Sequence, residues 1–148
     1  MNWPAFLDLT QCMDEPHVRE LLSLSVGFPT DEKLTGIARL YTEESDRQVI
    51  GIELDGALAG LLGLQNVGDG RVEILHLAVS PGQRGNGLAT MLLNEAIAHF
   101  QPVTLFAETD AGAVGFYDRH GFVIESLGSE RYGIERFRCT LIVSGNAD

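Results

Sequence analysis

The chain has 148 residues and a formal charge of −11, which argues against nucleic acid as a partner, since phosphate contacts need a basic surface, and favours cationic or neutral partners. Its length fits one domain, 1–148, with one good core, and no run approaches the apolar length of a membrane span. Cys12 and Cys139 lie far apart without CxxC spacing, and the N-terminus lacks the basic region and long apolar run of a signal peptide, so a cytoplasmic protein without a disulfide framework, metal or membrane partner is expected.

Residues 3–9 hold Trp3, Phe6, Leu7 and Leu9 and predict a short edge strand, weakened by Pro4. Asp14 is the expected N-cap of a helix running to about residue 26, with Pro16 in its first turn and Gly27 stopping it. Thr30 caps a second helix, with Asp31 and Glu32 placed well for its dipole and Leu34, Ile37, Ala38 and Tyr41 as its buried stripe. The pattern then changes from helical to alternating. Residues 48–54 read as a strand, Asp55-Gly56 as a two-residue hairpin turn, and 58–67 as the partner, with Gly60 and Gly63 as bulges or thin spots. Residues 71–79 form the third strand of this meander, apolar on both faces as a central strand would be. A helix from Gly87 or Leu88 to about Phe100 follows, then a short strand, 103–107, expected parallel to 71–79 by a right-handed crossover. Asp110 is the expected cap of a helix to about Arg119. Gly121 ends it, strands 123–127 and 132–143 pair, and 145–148 is tail.

Residues 75–93, LHLAVSPGQRGNGLATMLL, carry the chemistry. Ser80 and Pro81 end the strand, because proline cannot donate to a ladder. Gly82, Gly85 and Gly87 let the backbone curl and approach a ligand closely. The first amides of the following helix have no partner inside it and sit at the positive end of its dipole, a setting suited to phosphate or pyrophosphate. Arg84 adds a positive charge at the mouth. Neither the GxxxxGK[ST] nor the GxGxxG template is present. The spacing Arg84-x-x-Gly87-x-Ala89 instead resembles the acyl-coenzyme A pyrophosphate loop of the GNAT superfamily of N-acetyltransferases, Arg/Gln-x-x-Gly-x-Gly/Ala. A second segment, through Ala113, Phe116, Tyr117, Arg119, Gly121 and Phe122, resembles that family's Asn-x-x-Ala-x-x-Phe-Tyr-x-Lys/Arg-x-Gly-Phe signature, with Asp110 where asparagine is usual. The two segments stand in the family's order, on either side of a strand–helix–strand crossover.

The resemblance implies an α/β (α+β) fold: a mixed, mainly antiparallel sheet of six to seven strands with a central splayed parallel pair, flanked by about four helices. It implies acetyl-CoA as co-substrate, no metal, and direct transfer of acetyl to an amine of a small molecule or protein. Backbone of Leu77, Ala78 and Val79 would pair with the pantetheine arm. Amides from Arg84, Gly85, Asn86, Gly87, Leu88 and Ala89 would hold the pyrophosphate, with Asp110, Tyr117 and Arg119 also on the cofactor side. Tyr117 takes the family's general-acid role, protonating the departing thiolate. For the base, Glu73 on the central strand comes first. His76, with an intrinsic pKa of ~6.5, is the rival, and Glu108 is a third option. Phe28, Tyr41 and Tyr132 are candidates for lining the acceptor site, and the acidic surface leans toward polyamine-like, aminoglycoside-like or lysine acceptors. Relatives often form homodimers. The alternative function is a non-catalytic acyl-CoA-binding sensor or interaction domain, which would keep the same loop.

Overall fold

The computed structural model describes residues 4–130 and 133–143. Trp3, Tyr132 and residues 145–148, on which sequence expectations fell, lie outside them. The strands are β1 (Ala5–Asp8), β2 (Arg47–Leu54), β3 (Ala57–Gly68), β4 (Arg71–Val79), β5 (Thr104–Asp110), β6 (Val123–Gly128) and β7 (Arg136–Ile142). The helices are α1 (Pro16–Ser23), α2 (Asp31–Glu43), α3 (Leu88–Phe100) and α4 (Val114–Arg119). The strands form one seven-stranded mixed sheet in the order β1-β2-β3-β4-β5-β7-β6, with β4 and β5 as its parallel pair. This is the mixed sheet with a parallel pair and four helices that the resemblance implies. Among the described residues no helix is long and apolar enough to cross a membrane.

The chain divides into two compact units: Met1–Gln65 with His76–Phe100, and Asn66–Leu75 with Gln101–Asp148. In the first, the β2–β3 hairpin turns at Asp55 and Gly56, whose φ values of 58° and 79° are the left-handed pair that a tight two-residue turn requires. The register slips between Ile52 and Glu53, leaving Ala59 as the extra residue of a bulge beside Gly60. Gly60 is also a thin spot: a Cβ there would press on Ile52, Leu92 and the Ala78 carbonyl at 3.1–3.2 Å. Leu92 of α3 is fully buried, and its truncation to Ala should cost ~2–5 kcal/mol. Thr30 caps α2 as expected, its hydroxyl accepting from Lys33 N at 3.1 Å.

Two expectations in this unit are corrected. Asp14 does not cap α1; Glu15 occupies the N-cap position, and its side chain makes no capping hydrogen bond. The helix also ends at Ser23 rather than near residue 26. Ser23 and Ser25 hydroxyls donate to the carbonyls of Glu20 and Leu22 at 2.6 and 2.8 Å, and the Leu24 and Ser25 amides reach back three residues instead of four. Serine side chains compete with the helix ladder in this way and tighten its last turn.

In the second unit, β5 is flanked by β4 and β7. The parallel ladder comprises four pairs, Arg71↔Thr104 to Ile74↔Ala107. Gly70 accepts from the amides of Val103 and Thr104, and a Cβ on it would collide with the Val103 side chain. Leu105, Ala107, Tyr117, Phe122 and Cys139 form the buried centre. The expectation that Asp110 caps α4 is corrected. β5 runs through Asp110 because β7 pairs with it as far as Arg136, the Asp110 carboxylate accepts from Gly112 N at 3.0 Å, and Ala113 stands at the N-cap. β7 starts at Arg136, four residues later than expected.

Candidate active site

The first unit holds the strand–turn–helix segment. Ser80 N bonds the Ala59 carbonyl at 2.8 Å, so the end of β4 stays tied to β3 as the chain leaves the sheet. Pro81–Gln83 make a single 3-10 turn. Gly85 and Gly87 follow at φ 87° and 75°, a conformation that costs side-chain-bearing L-residues strain. A Cβ at either glycine would meet nothing within 4 Å. Asn86 Nδ2 donates to Gln83 Oε1 at 3.2 Å across the turn. Met91 N bonds Gly87 O at 3.0 Å at the start of α3. The Leu88 and Ala89 amides precede it, where an α-helix offers no internal acceptor. Leu88 is buried and anchors the helix start, while Ala89 is half-buried. Arg84 is exposed, and its Nε donates to the Val79 carbonyl at 3.3 Å, so its side chain folds back on the end of β4. Of the backbone edge proposed for pantetheine, Ala78 is buried, and Leu77 and Val79 are half-buried.

His76 lies on the same strand, one residue before that edge. Its Nδ1 is 2.6 Å from the Tyr41 phenol oxygen, and the two rings meet edge-on with centroids 5.6 Å apart. Burial, and next the charge of Arg47, lower His76 from its ordinary 6.5 to about 4, so it is neutral at physiological pH. The Arg47 guanidinium stands 6.0 Å from the Tyr41 ring centroid. The sequence reading named Tyr41 for the acceptor site or the core and missed Arg47 altogether. Nothing local marks Arg47 or pairs Tyr41 with His76, which lies 35 residues further along the chain.

The second unit holds the other candidates. Glu73 is half-buried on β4 and stands opposite Phe106 in the parallel ladder. Arg71, two residues earlier, lies with its guanidinium 4.8 Å from the Phe106 ring centroid. Glu108 accepts from Arg138 at 3.1 Å, and both side chains reach solvent. Tyr117 is buried on α4, its ring edge-on to Phe116 and Phe122 at 5.3 and 5.1 Å. Burial, with a smaller push from nearby Cys139, raises its phenol well above the ordinary tyrosine range and keeps it protonated. Arg119 is exposed, and Asp110 is engaged in its own turn. Phe28 is 91% exposed. Among the described residues no three His, Cys, Asp or Glu side chains gather as metal ligands.

No curated protein matches the chain. Solved structures do. A GNAT-family acetyltransferase from Desulfovibrio desulfuricans is 25% identical over 96% of this chain and 100% of its own, with a TM-score of 0.80. An aminoglycoside 6′-N-acetyltransferase complexed with coenzyme A is 14% identical, over 97% and 99% of the two chains, with a TM-score of 0.75. The ribosomal-protein-S18-alanine N-acetyltransferase of Escherichia coli is 20% identical, over 95% and 93%, with a TM-score of 0.69. At those identities the last two establish the fold alone. The model of the acetyltransferase (GNAT) family matches residues 10–122, and on that match the chain belongs to the GNAT family of acetyltransferases.

Proposed function

We propose that the protein transfers acetyl from acetyl-CoA directly to the amine of a small molecule or a protein. The observation that carries this reading is the turn between β4 and α3. There, two glycines of positive φ bring the backbone to a helix start whose leading amides suit a pyrophosphate. The coenzyme A complex of the aminoglycoside acetyltransferase, which shares the fold, supports the same donor.

The chemistry then needs a proton removed from nitrogen and one supplied near sulfur. The neutral amine attacks the thioester carbonyl carbon, giving a tetrahedral oxyanion. Glu73 is our first choice to take the proton from nitrogen, directly or through one water. Partial burial beside Phe106 suits a base, because it keeps the carboxylate from being fully solvated. The oxyanion collapses, the C–S bond breaks, and the sulfur leaves against the Tyr117 phenol. Since burial raises that phenol above the ordinary range while a thiol titrates near ~8.5, Tyr117 acts by donating a hydrogen bond to the developing thiolate. Full proton transfer to sulfur would be uphill. His76 is a weaker rival base, because at about 4 it is neutral but holds a proton poorly.

The test is thiol release from acetyl-CoA against a panel of polyamines, aminoglycosides and lysine-bearing peptides. Amine-dependent release is expected. Acetyl-CoA that raises the melting temperature without turnover on any amine would replace this reading with a sensor.

A further inference from the structure

The Tyr41–His76 contact joins residues 35 apart in sequence, and the fold makes specific room for it. Tyr41 is 1% exposed. Its phenol lies where a side chain on β3 would otherwise project, and only glycine at position 63 leaves that space. Arg47 closes over the ring, and its Nε is buried without a hydrogen bond among the described residues. A buried donor left unpaired is destabilising, so this packing is not explained by stability alone. What the arrangement delivers is a neutral imidazole, fixed in orientation through Nδ1, on the residue next to Leu77. Tyr41 on α2 and Arg47 at the head of β2 are the titratable and charged groups recorded against it.

We propose that Tyr41 is a positioning residue for acetyl transfer: it accepts from His76 Nδ1–H and so leaves Nε2 as a lone-pair nitrogen that accepts a hydrogen bond from the acceptor amine. This rests on the acetyltransferase reading and deepens it. An amine held by one of its N–H groups has its lone pair turned in a defined direction, and orientation of this kind acts on the transfer step. No proton moves to His76. Its low basicity suits an orienting acceptor, since a nitrogen that stays neutral does not repel an incoming cation as an imidazolium would. Removing the hydroxyl in Tyr41→Phe keeps the ring in place and opens no new clash with Gly63.

The experiment has two arms. Nitrogen chemical shifts of His76 in the wild type should show Nδ1 protonated and Nε2 bare; a protonated Nε2 overturns the proposal. In kinetics, Tyr41→Phe should lower kcat/KM for the amine about tenfold or more, with KM for acetyl-CoA unchanged. In a His76→Ala background the same change should cost nothing further, because Tyr41 acts through His76. A loss that persists in that background shows a structural role and overturns the proposal. So does an undiminished Tyr41→Phe. A wild type that releases no thiol with any amine refutes the transferase reading itself, so the two failures are distinguishable.

Discussion

Gly63→Ala places a methyl group where the Tyr41 phenol lies, and the structure sets the size of the effect. The added Cβ would overlap the hydroxyl and stand 2.6 Å from Cζ and 3.2 Å from Cε1 of the ring. Tyr41 cannot swing aside freely, being fully buried, bonded to His76 and covered by Arg47. Overpacking of this kind costs ~1–3 kcal/mol, and a broken hydrogen bond adds ~0.5–1.5 kcal/mol, giving about 2–4 kcal/mol together. For a chain of this size each kcal/mol moves the melting point by ~2–4 °C, so a fall of roughly 10 °C is expected by circular dichroism. Gly36→Ala is the control. It lies exposed inside α2 with nothing within 4 Å of its Cβ, and should gain ~0.5–1 kcal/mol from helix propensity. A Gly63→Ala protein that melts with the wild type, its His76 resonances unmoved, would refute the argument that glycine is there to admit Tyr41.

Tyr117→Phe should leave the melting temperature within about 3 °C, since the ring packing on Phe116 and Phe122 is kept, while kcat falls ~10²-fold or more in the thiol-release assay. His76 binds its proton near pH 4 in the folded chain and near 6.5 when unfolded, so its contribution to stability is complete above pH 6.5 and is lost as pH falls toward 4. The size is on the order of 3 kcal/mol, and urea titrations should show His76→Gln losing less stability than the wild type across that window. Glu108→Gln breaks a solvent-exposed pair with Arg138 and should change stability by less than ~1 kcal/mol. If its activity collapses while Glu73→Gln stays active, the base assignment moves to Glu108.

Where punctuation in the chain is strong, sequence and structure agree closely. Ser80-Pro81 and the following glycines bound β4 at Val79 and α3 at Leu88, and Asp55-Gly56 and Thr30 do the local jobs their chemistry suits. Disagreement comes where a side chain has two local options. Ser23 and Ser25 take carbonyls that a longer α1 would have used, and Asp110, able to cap a helix, is held in β5 by pairing with β7. Both outcomes depend on partners that a local reading does not see. The second segment, Ala113 to Phe122, stood out by spacing alone, yet the burial that shifts Tyr117 comes from the whole unit. The Tyr41–His76–Arg47 cluster was invisible for the same reason: alternation showed His76 in a strand and periodicity showed Tyr41 in a helix stripe, but neither gives the register that brings them together.

The two glycines of the β4–α3 turn carry a further consequence. With open space around the position of each missing Cβ, what the chain demands there is handedness rather than smallness. An L-alanine at either site should cost ~1–2 kcal/mol for its left-handed φ. A D-alanine introduced by chemical ligation meets the same open space with the favoured sign of φ. By narrowing the unfolded chain's choices, it should stabilise the fold by ~0.4–1 kcal/mol, so the mirror-image residue would outperform the natural one.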